Sequence, residues 1–254
     1  MLTELLTLDV YRLMLVFARL GSALMVLPGF GGHMVSPRVR LLLGMVVSFL
    51  MLPIIGPILP PLPPSTGLLV LLIFGEVTVG VFIGIVAQLL LSAINIAGTF
   101  IGFQTGLTNA FSFDPVAEQQ SQLLTGFLSN VALTLIFAAD LHHLMIRAMI
   151  DSYALFLPGQ PLPWGDFAET AAHTLTESFK LGIQLAGPLV AFGLVFYTAL
   201  GVLSRLVPQM QVFFVALPVQ VMVGLWLLMV ALPTIMLLFL RWFGDNLSVY
   251  IVPH

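Results

Sequence analysis

Long apolar runs alternate with short polar or proline-rich breaks along this chain, and six runs can be traced. The first extends from about Leu8 to Pro28 and the second from about Val39 to Leu59. A connector, PILPPLPPSTG, follows. Its prolines fix φ and remove backbone donors, so it reads as stiff extended chain. From Leu68 to Gly106 there is no proline and hardly any break. As one helix this segment would be roughly 60 Å long at about 1.5 Å per residue. A bilayer core is only about 30 Å thick, so the segment either projects beyond the membrane or breaks midway, near Ser92–Asn95. The fourth run is Leu123 to about Met145, and the fifth is about Phe179–Leu203 with Pro188. The sixth, about Val212–Leu240, contains Pro218 and Pro233 and ends on Arg241-Trp242-Phe243, an interfacial anchor. The pattern predicts an all-α membrane protein of about six long apolar helices, some kinked or forming half-inserted hairpins.

Composition supports that class. Hydrophobic residues make up 59% of the 254, charged residues 7%, and mean hydropathy is +1.11. Soluble domains carry about 25% charged residues. No basic run is present, which argues against nucleic acid as a partner. The absence of cysteine excludes disulfides and thiolate chemistry. The N-terminus lacks the basic region of a signal peptide, so the first helix is expected to be retained. Arg38, Arg40 and Arg205 follow the first and fifth runs, a charge bias that places both termini outside.

Individual residues add detail. Glu76, Gly80, Gly84 and Gln88 recur every fourth residue and share one helical face. Gly80–Gly84, Gly98–Gly102 and Gly102–Gly106 are small-residue pairs of the kind that let helix backbones approach closely. Glu76 is expected to accept hydrogen bonds in protein, with a hydrated headgroup position as the alternative. Arg12 and Arg19 lie seven apart, and Asp9 is placed to pair with Arg12. They are read either as snorkelling helix-end charges or as an inter-subunit contact. Asp140, His142 and His143 raise the question of a metal. Adjacent histidines on a helix point about 100° apart, which favours a polar helix end and no metal. Asp166 and Glu169 resemble a capping box that starts a helix at Phe167. No phosphate-binding loop, nucleophile elbow or zinc-protease motif is found, so neither an enzyme nor a cofactor is expected.

One stretch resists a plain reading as a connector. Gly98–Gln122 begins as a glycine-rich helix and then turns polar and irregular between two apolar runs. Irregular backbone at membrane depth must be buried in protein or line a water-filled space. Phe111 and Phe113 are able to seal such a space, while Gly106 frees the backbone and Asp114-Pro115 rigidifies it. Gly106, Leu107, Asn109, Phe111, Phe113, Asp114 and Pro115 therefore form the candidate functional loop. A solvent-exposed connector is the competing reading. At the level of function, a subunit of a larger membrane assembly competes with a stand-alone transporter or channel for a small solute.

The motif Gly98-x-x-Ile101-Gly102-x-Gln104-x-Gly106-Leu107 followed by Asp114-Pro115 resembles the FliR/SctT family. Gly75-Glu76 with Gly80 and Gly84, Leu157-Pro158-Gly159, and Ser204-Arg205-x-x-Pro208-Gln209 agree with it, as do Phe213, Pro218 and Gly224. The likeness covers most of the chain from about Leu68 and is looser before it. It implies an export-gate subunit of type III secretion, with the flagellar version favoured, in a bacterial inner membrane and flagellar basal body, with the core raised toward the periplasm. It implies a FliP-like part over residues 1–177 fused to a FliQ-like hairpin over 178–254, with Ser204, Arg205, Pro208 and Gln209 at the hairpin tip. The implied partners are FliP-like, FliQ-like and FlhB-like subunits, membrane lipid and unfolded export substrates. The loop Gly106–Gln122 becomes a pore plug, and Glu76, Gly80, Gly84, Gly98, Gly102 and Gln104 become helix-packing positions. Energy comes from the proton-motive force and a separate ATPase.

Overall fold

The computed structural model describes residues 2–32, 35–107, 123–207 and 212–251, and all regular structure among them is helical. The helices are α1 (Leu2–Val26), α2 (Pro37–Ile55), α3 (Thr66–Gln104), α4 (Leu123–Ala138), α5 (Leu141–Leu155), α6 (Trp164–Leu206) and α7 (Val212–Ser248). A 3-10 turn, Gly56–Ile58, follows α2. By length and composition, four stretches are able to cross a membrane: Pro37–Ile58, Thr66–Gln104, Trp164–Leu206 and Ala216–Ser248. Taking α4 and α5 together as one broken span makes five. The protein is an all-α membrane protein, with fewer clean spans than the six apolar runs. The shortfall lies in α1, where Glu4, Asp9, Arg12 and Arg19 share 25 residues, and in the break between α4 and α5.

Several boundaries differ from expectation for identifiable reasons. No break occurs near Ser92–Asn95, and α3 is a single helix of 39 residues. The segment holds no proline, and the Asn95 side chain is engaged by the Ser129 hydroxyl. The fourth run stops early, at Ala138, because Asp140 adopts φ 58. That left-handed conformation cannot continue a helix, and Asp is among the few residues that visit it. The acidic stretch 151–178 is mostly helical. Asp151 lies in α5, and α6 starts at Trp164, so Asp166 sits in its first turn and is not its N-cap. An acidic group there still favours the positive end of the helix dipole. At α2 the start is conventional: Ser36 caps, its side chain accepting from Val39 N, and proline occupies the first turn.

The chain folds as two compact units, residues 1–90 with 140–174 and 244–254, and residues 91–139 with 175–243. In the first unit α1 packs on α2, on the first part of α3 and on α5. Its core holds Leu15, Val16, Leu20, Leu24, Val79, Ile83, Met145 and Met149, all buried. Phe167 stacks on Phe82 at 4.1 Å and meets Phe156 edge-on at 5.2 Å. The second unit holds the C-terminal part of α3, α4, and most of α6 and α7. Gly98 there lies so close to Thr125 that an added Cβ would be 2.9 Å from its Cα.

Candidate functional site

The charged face of α3 belongs to the first unit. Arg19 of α1 and Glu76 of α3 are 1% and 2% exposed. Arg19 Nε donates to Glu76 Oε2 at 2.7 Å and Nη2 donates to Oε1 at 3.0 Å. Nη1 donates to the carbonyl and hydroxyl of Ser152, and Nη2 also donates to the Phe156 carbonyl. The guanidinium carbon stands 4.0 Å above the Tyr153 ring. Every N–H of the guanidinium thus has an acceptor, the condition under which a buried pair is tolerable. Arg19 is neither a snorkelling group nor an inter-subunit contact, because its partner is 57 residues away in the same chain.

The rest of that face lies along α1. A Cβ on Gly80 would strike the Arg19 carbonyl and the Ser22 hydroxyl, and one on Gly84 would come within 2.6 Å of Val26 Cβ. Gln88 Nε2 donates to the carbonyl of Val26, the last residue of α1, at 2.9 Å. The spacing of four therefore sets an ion pair, two close backbone contacts and a cap along one helix–helix seam.

The second unit holds the root of the candidate loop. A helix leaves its last four carbonyls without intrahelical donors, and here each of them is satisfied. Thr105 N reaches Ile101 O at 2.9 Å and Gly106 N reaches Phe103 O at 3.2 Å. Thr105 Oγ1 donates to Gly102 O at 3.1 Å. The carbonyl of Gln104 accepts from Gln220 Nε2 of α7 at 3.0 Å. Gly106 then takes φ 72, the left-handed conformation that commonly closes helices and that glycine adopts without strain. Gly102, Thr105 and Gly106 are buried, while Gln104 and Leu107 are partly exposed. The Gln104 Oε1 atom is buried against the site of Gly193 and has no hydrogen-bond partner among the described residues. Asn109, Phe111, Phe113, Asp114 and Pro115 lie outside the described residues, as do Pro208 and Gln209. Ser204 and the exposed Arg205 belong to the last turn of α6.

Asp140, His142 and His143 come closer than their helical spacing suggests. One ligand atom from each lies within 4.8 Å of the others, so the angular separation of the histidines does not keep them apart. Asp140 and His143 are exposed, and the group sits at the first turn of α5. A cation there faces the positive end of the helix dipole and competition from water.

Two residues of consequence escaped the sequence reading, the pairing of Arg19 and the role of Gln220. Gln220 did carry a signal, since it is the one amide side chain in the uncharged run Val212–Leu240.

Comparison with known proteins agrees with these motifs. The family model for bacterial export proteins, family 1, matches residues 10–245. The flagellar biosynthetic protein FliR of Caulobacter vibrioides is 37% identical over 95% of this chain and 96% of its own length. FliR of Bacillus subtilis is 31% identical over 87% of this chain and 86% of its own. FliR of Escherichia coli is 31% identical over 79% and 76%. Agreement on this scale spans both compact units, and the chain belongs to the family of bacterial export proteins, family 1.

Proposed function

We infer that this chain is a subunit of the export gate of a flagellar-type III secretion system, seated in the bacterial inner membrane and flagellar basal body. Family membership across residues 10–245 carries the inference, and the relatives named as flagellar biosynthetic proteins favour the flagellar version. The gate passes unfolded proteins and the chain acts as a conduit, not as an enzyme. Its partners are FliP-like, FliQ-like and FlhB-like subunits. Residues 1–177 act as the FliP-like part and 178–254 as the FliQ-like hairpin, with Ser204, Arg205, Pro208 and Gln209 at its tip.

Within the gate, the segment Gly106–Gln122 is the plug. Its support is chemical: a polar, phenylalanine-bearing stretch has no place against lipid. It leaves α3 at a glycine whose preceding carbonyls are all satisfied. Apolar side chains in a narrow pore exclude water and stop ions. Two measurements test this. Mild detergent extraction followed by native mass analysis is expected to give a stoichiometric complex with two other hydrophobic subunits, and a lone monomer or homodimer would overturn the gate. Deleting Asn109–Ser121 in an assembled complex is expected to raise leakage of ions or small dyes. Unchanged leakage with normal export would reduce the loop to a connector.

A further inference from the structure

We propose that Asp140, His142 and His143 form a zinc-binding site at the start of α5. The proposal stands apart from the gate and the plug. It reverses the expectation that these residues are only a polar helix end.

The geometry comes first. Asp140 opens α5 in the left-handed conformation, φ 58, and its carboxylate makes no capping bond to that helix. An aspartate at a helix start ordinarily accepts from the N–H groups of the first turn. Here the carboxylate faces His143, with Oδ1 3.5 Å from Nδ1. Two ligands on one tetrahedral zinc stand about 3.3 Å apart, given bonds of about 2.0–2.1 Å. The imidazoles of His142 and His143 lie beside each other, with centroids 4.0 Å apart and planes inclined by 36°. One donor atom from each of the three residues falls within 4.8 Å of the other two. Side-chain shifts of at most about 1.5 Å therefore complete the set.

The donors name the metal. Two imidazoles with one carboxylate suit zinc, whereas magnesium and calcium take oxygen ligands. Zinc imposes no geometry of its own and works with three protein ligands and a water. The side chains of Asp140 and His143 are 78% and 69% exposed, so an ion reaches them without opening the fold. Two positive charges oppose it. The helix dipole lowers the affinity of an exposed cation about two- to fivefold. Arg147, one turn beyond His143, is offset by Asp151, whose Oδ2 lies 3.6 Å from its Nε. Loss of a single ligand costs at least about tenfold, so three donors together outweigh the dipole. A bound ion would hold the left-handed Asp140 against the first turn of α5.

The test uses the full chain in its co-extracted complex, purified through a tag without histidine and freed of metal with chelator. Zn2+ is titrated by calorimetry, and thermal midpoints are read with and without Zn2+. Three variants remove one donor each: Asp140→Asn, His142→Phe and His143→Phe. Asparagine tolerates the left-handed backbone, and phenylalanine keeps the ring. One equivalent of Zn2+ per copy of this chain is expected to weaken at least about tenfold in each variant. The rise in thermal midpoint with Zn2+ is expected to shrink with it. His173→Phe, which alters a histidine outside the cluster, is expected to titrate as wild type. Asp140→Asn decides the matter if a phenylalanine variant does not assemble. Titrations that coincide for wild type and Asp140→Asn would overturn the site. Wild-type affinity in either histidine variant would overturn it as a three-ligand site, and so would an equal loss in His173→Phe.

Discussion

Arg19 shows how a charge survives inside this protein. Its N–H groups are all used, on a carboxylate, two carbonyls and a hydroxyl, and its face lies on Tyr153. From the sequence alone, Glu76→Gln is expected to be mild, since an amide still accepts hydrogen bonds. The bidentate pair reverses that expectation, because the amide leaves a buried guanidinium without its counter-charge. Removing one partner of a buried pair costs about 3–5 kcal/mol. Glu76→Gln and Glu76→Leu are both expected to lower the thermal midpoint of the purified complex, with Glu76→Leu the worse. The double replacement Arg19→Met with Glu76→Leu is expected to be more stable than Glu76→Leu alone, since apolar groups of similar volume replace such pairs at little cost. A double variant at least as unstable as the sum of its singles would show that the pair does more than satisfy itself.

At the scale of elements, glycine position separates a seam from an open face. Gly75 and Gly80 both lie inside α3, yet a Cβ on Gly75 meets nothing within 4 Å while one on Gly80 strikes the backbone of α1. Gly75→Ala is therefore expected to be neutral or to stabilise by up to about 1 kcal/mol through helix propensity. Gly80→Ala is expected to destabilise by about 1–3 kcal/mol, because the neighbouring atom is a carbonyl oxygen that cannot rotate away. Thermal midpoints of the two complexes, compared directly, check the contrast. A second contrast lies at the start of α5. Asp140 holds φ 58, so Asp140→Gly is expected to be tolerated. Asp140→Val is expected to cost at least about 1–2 kcal/mol, since a β-branched residue is poorly suited to that region. Equal stability of the two variants would mean that the break moves to another residue.

For the whole molecule, the question is what covers its apolar surface. Met222, Trp226, Met229 and Val230 are exposed at spacings of one and two helical turns along α7, with no charge among them. Lipid and partner helices both accept such a face, and a charge separates the two. Met229→Arg is expected to remain in the membrane fraction, because α7 carries no other charge from Val212 to Leu240. It is also expected to lose the co-extracted subunits, since a buried, unpaired charge is excluded from a packed interface. Retention of all partners at wild-type yield would place this stripe against lipid.

The sequence by itself determined the class, the apolar segments and the faces within them. Hydropathy and periodicity are local properties, so the face of Glu76, Gly80, Gly84 and Gln88 is legible from spacing alone, and so is the polar stretch after Gly106. The partners of those faces are not local. Arg19 meets Glu76 across 57 residues and Gln220 meets Gln104 across 116. No period in the chain encodes such a pairing, because it depends on which helices pack together and how far each slides along the other. Only the tertiary structure decided that α1 fills the glycine seam, that α3 runs unbroken, and that a lone glutamine on α7 caps it. The physical reason is common to all three. In an apolar chain each polar group must find a partner within the protein, and the helix packing that satisfies most of them selects the pairs.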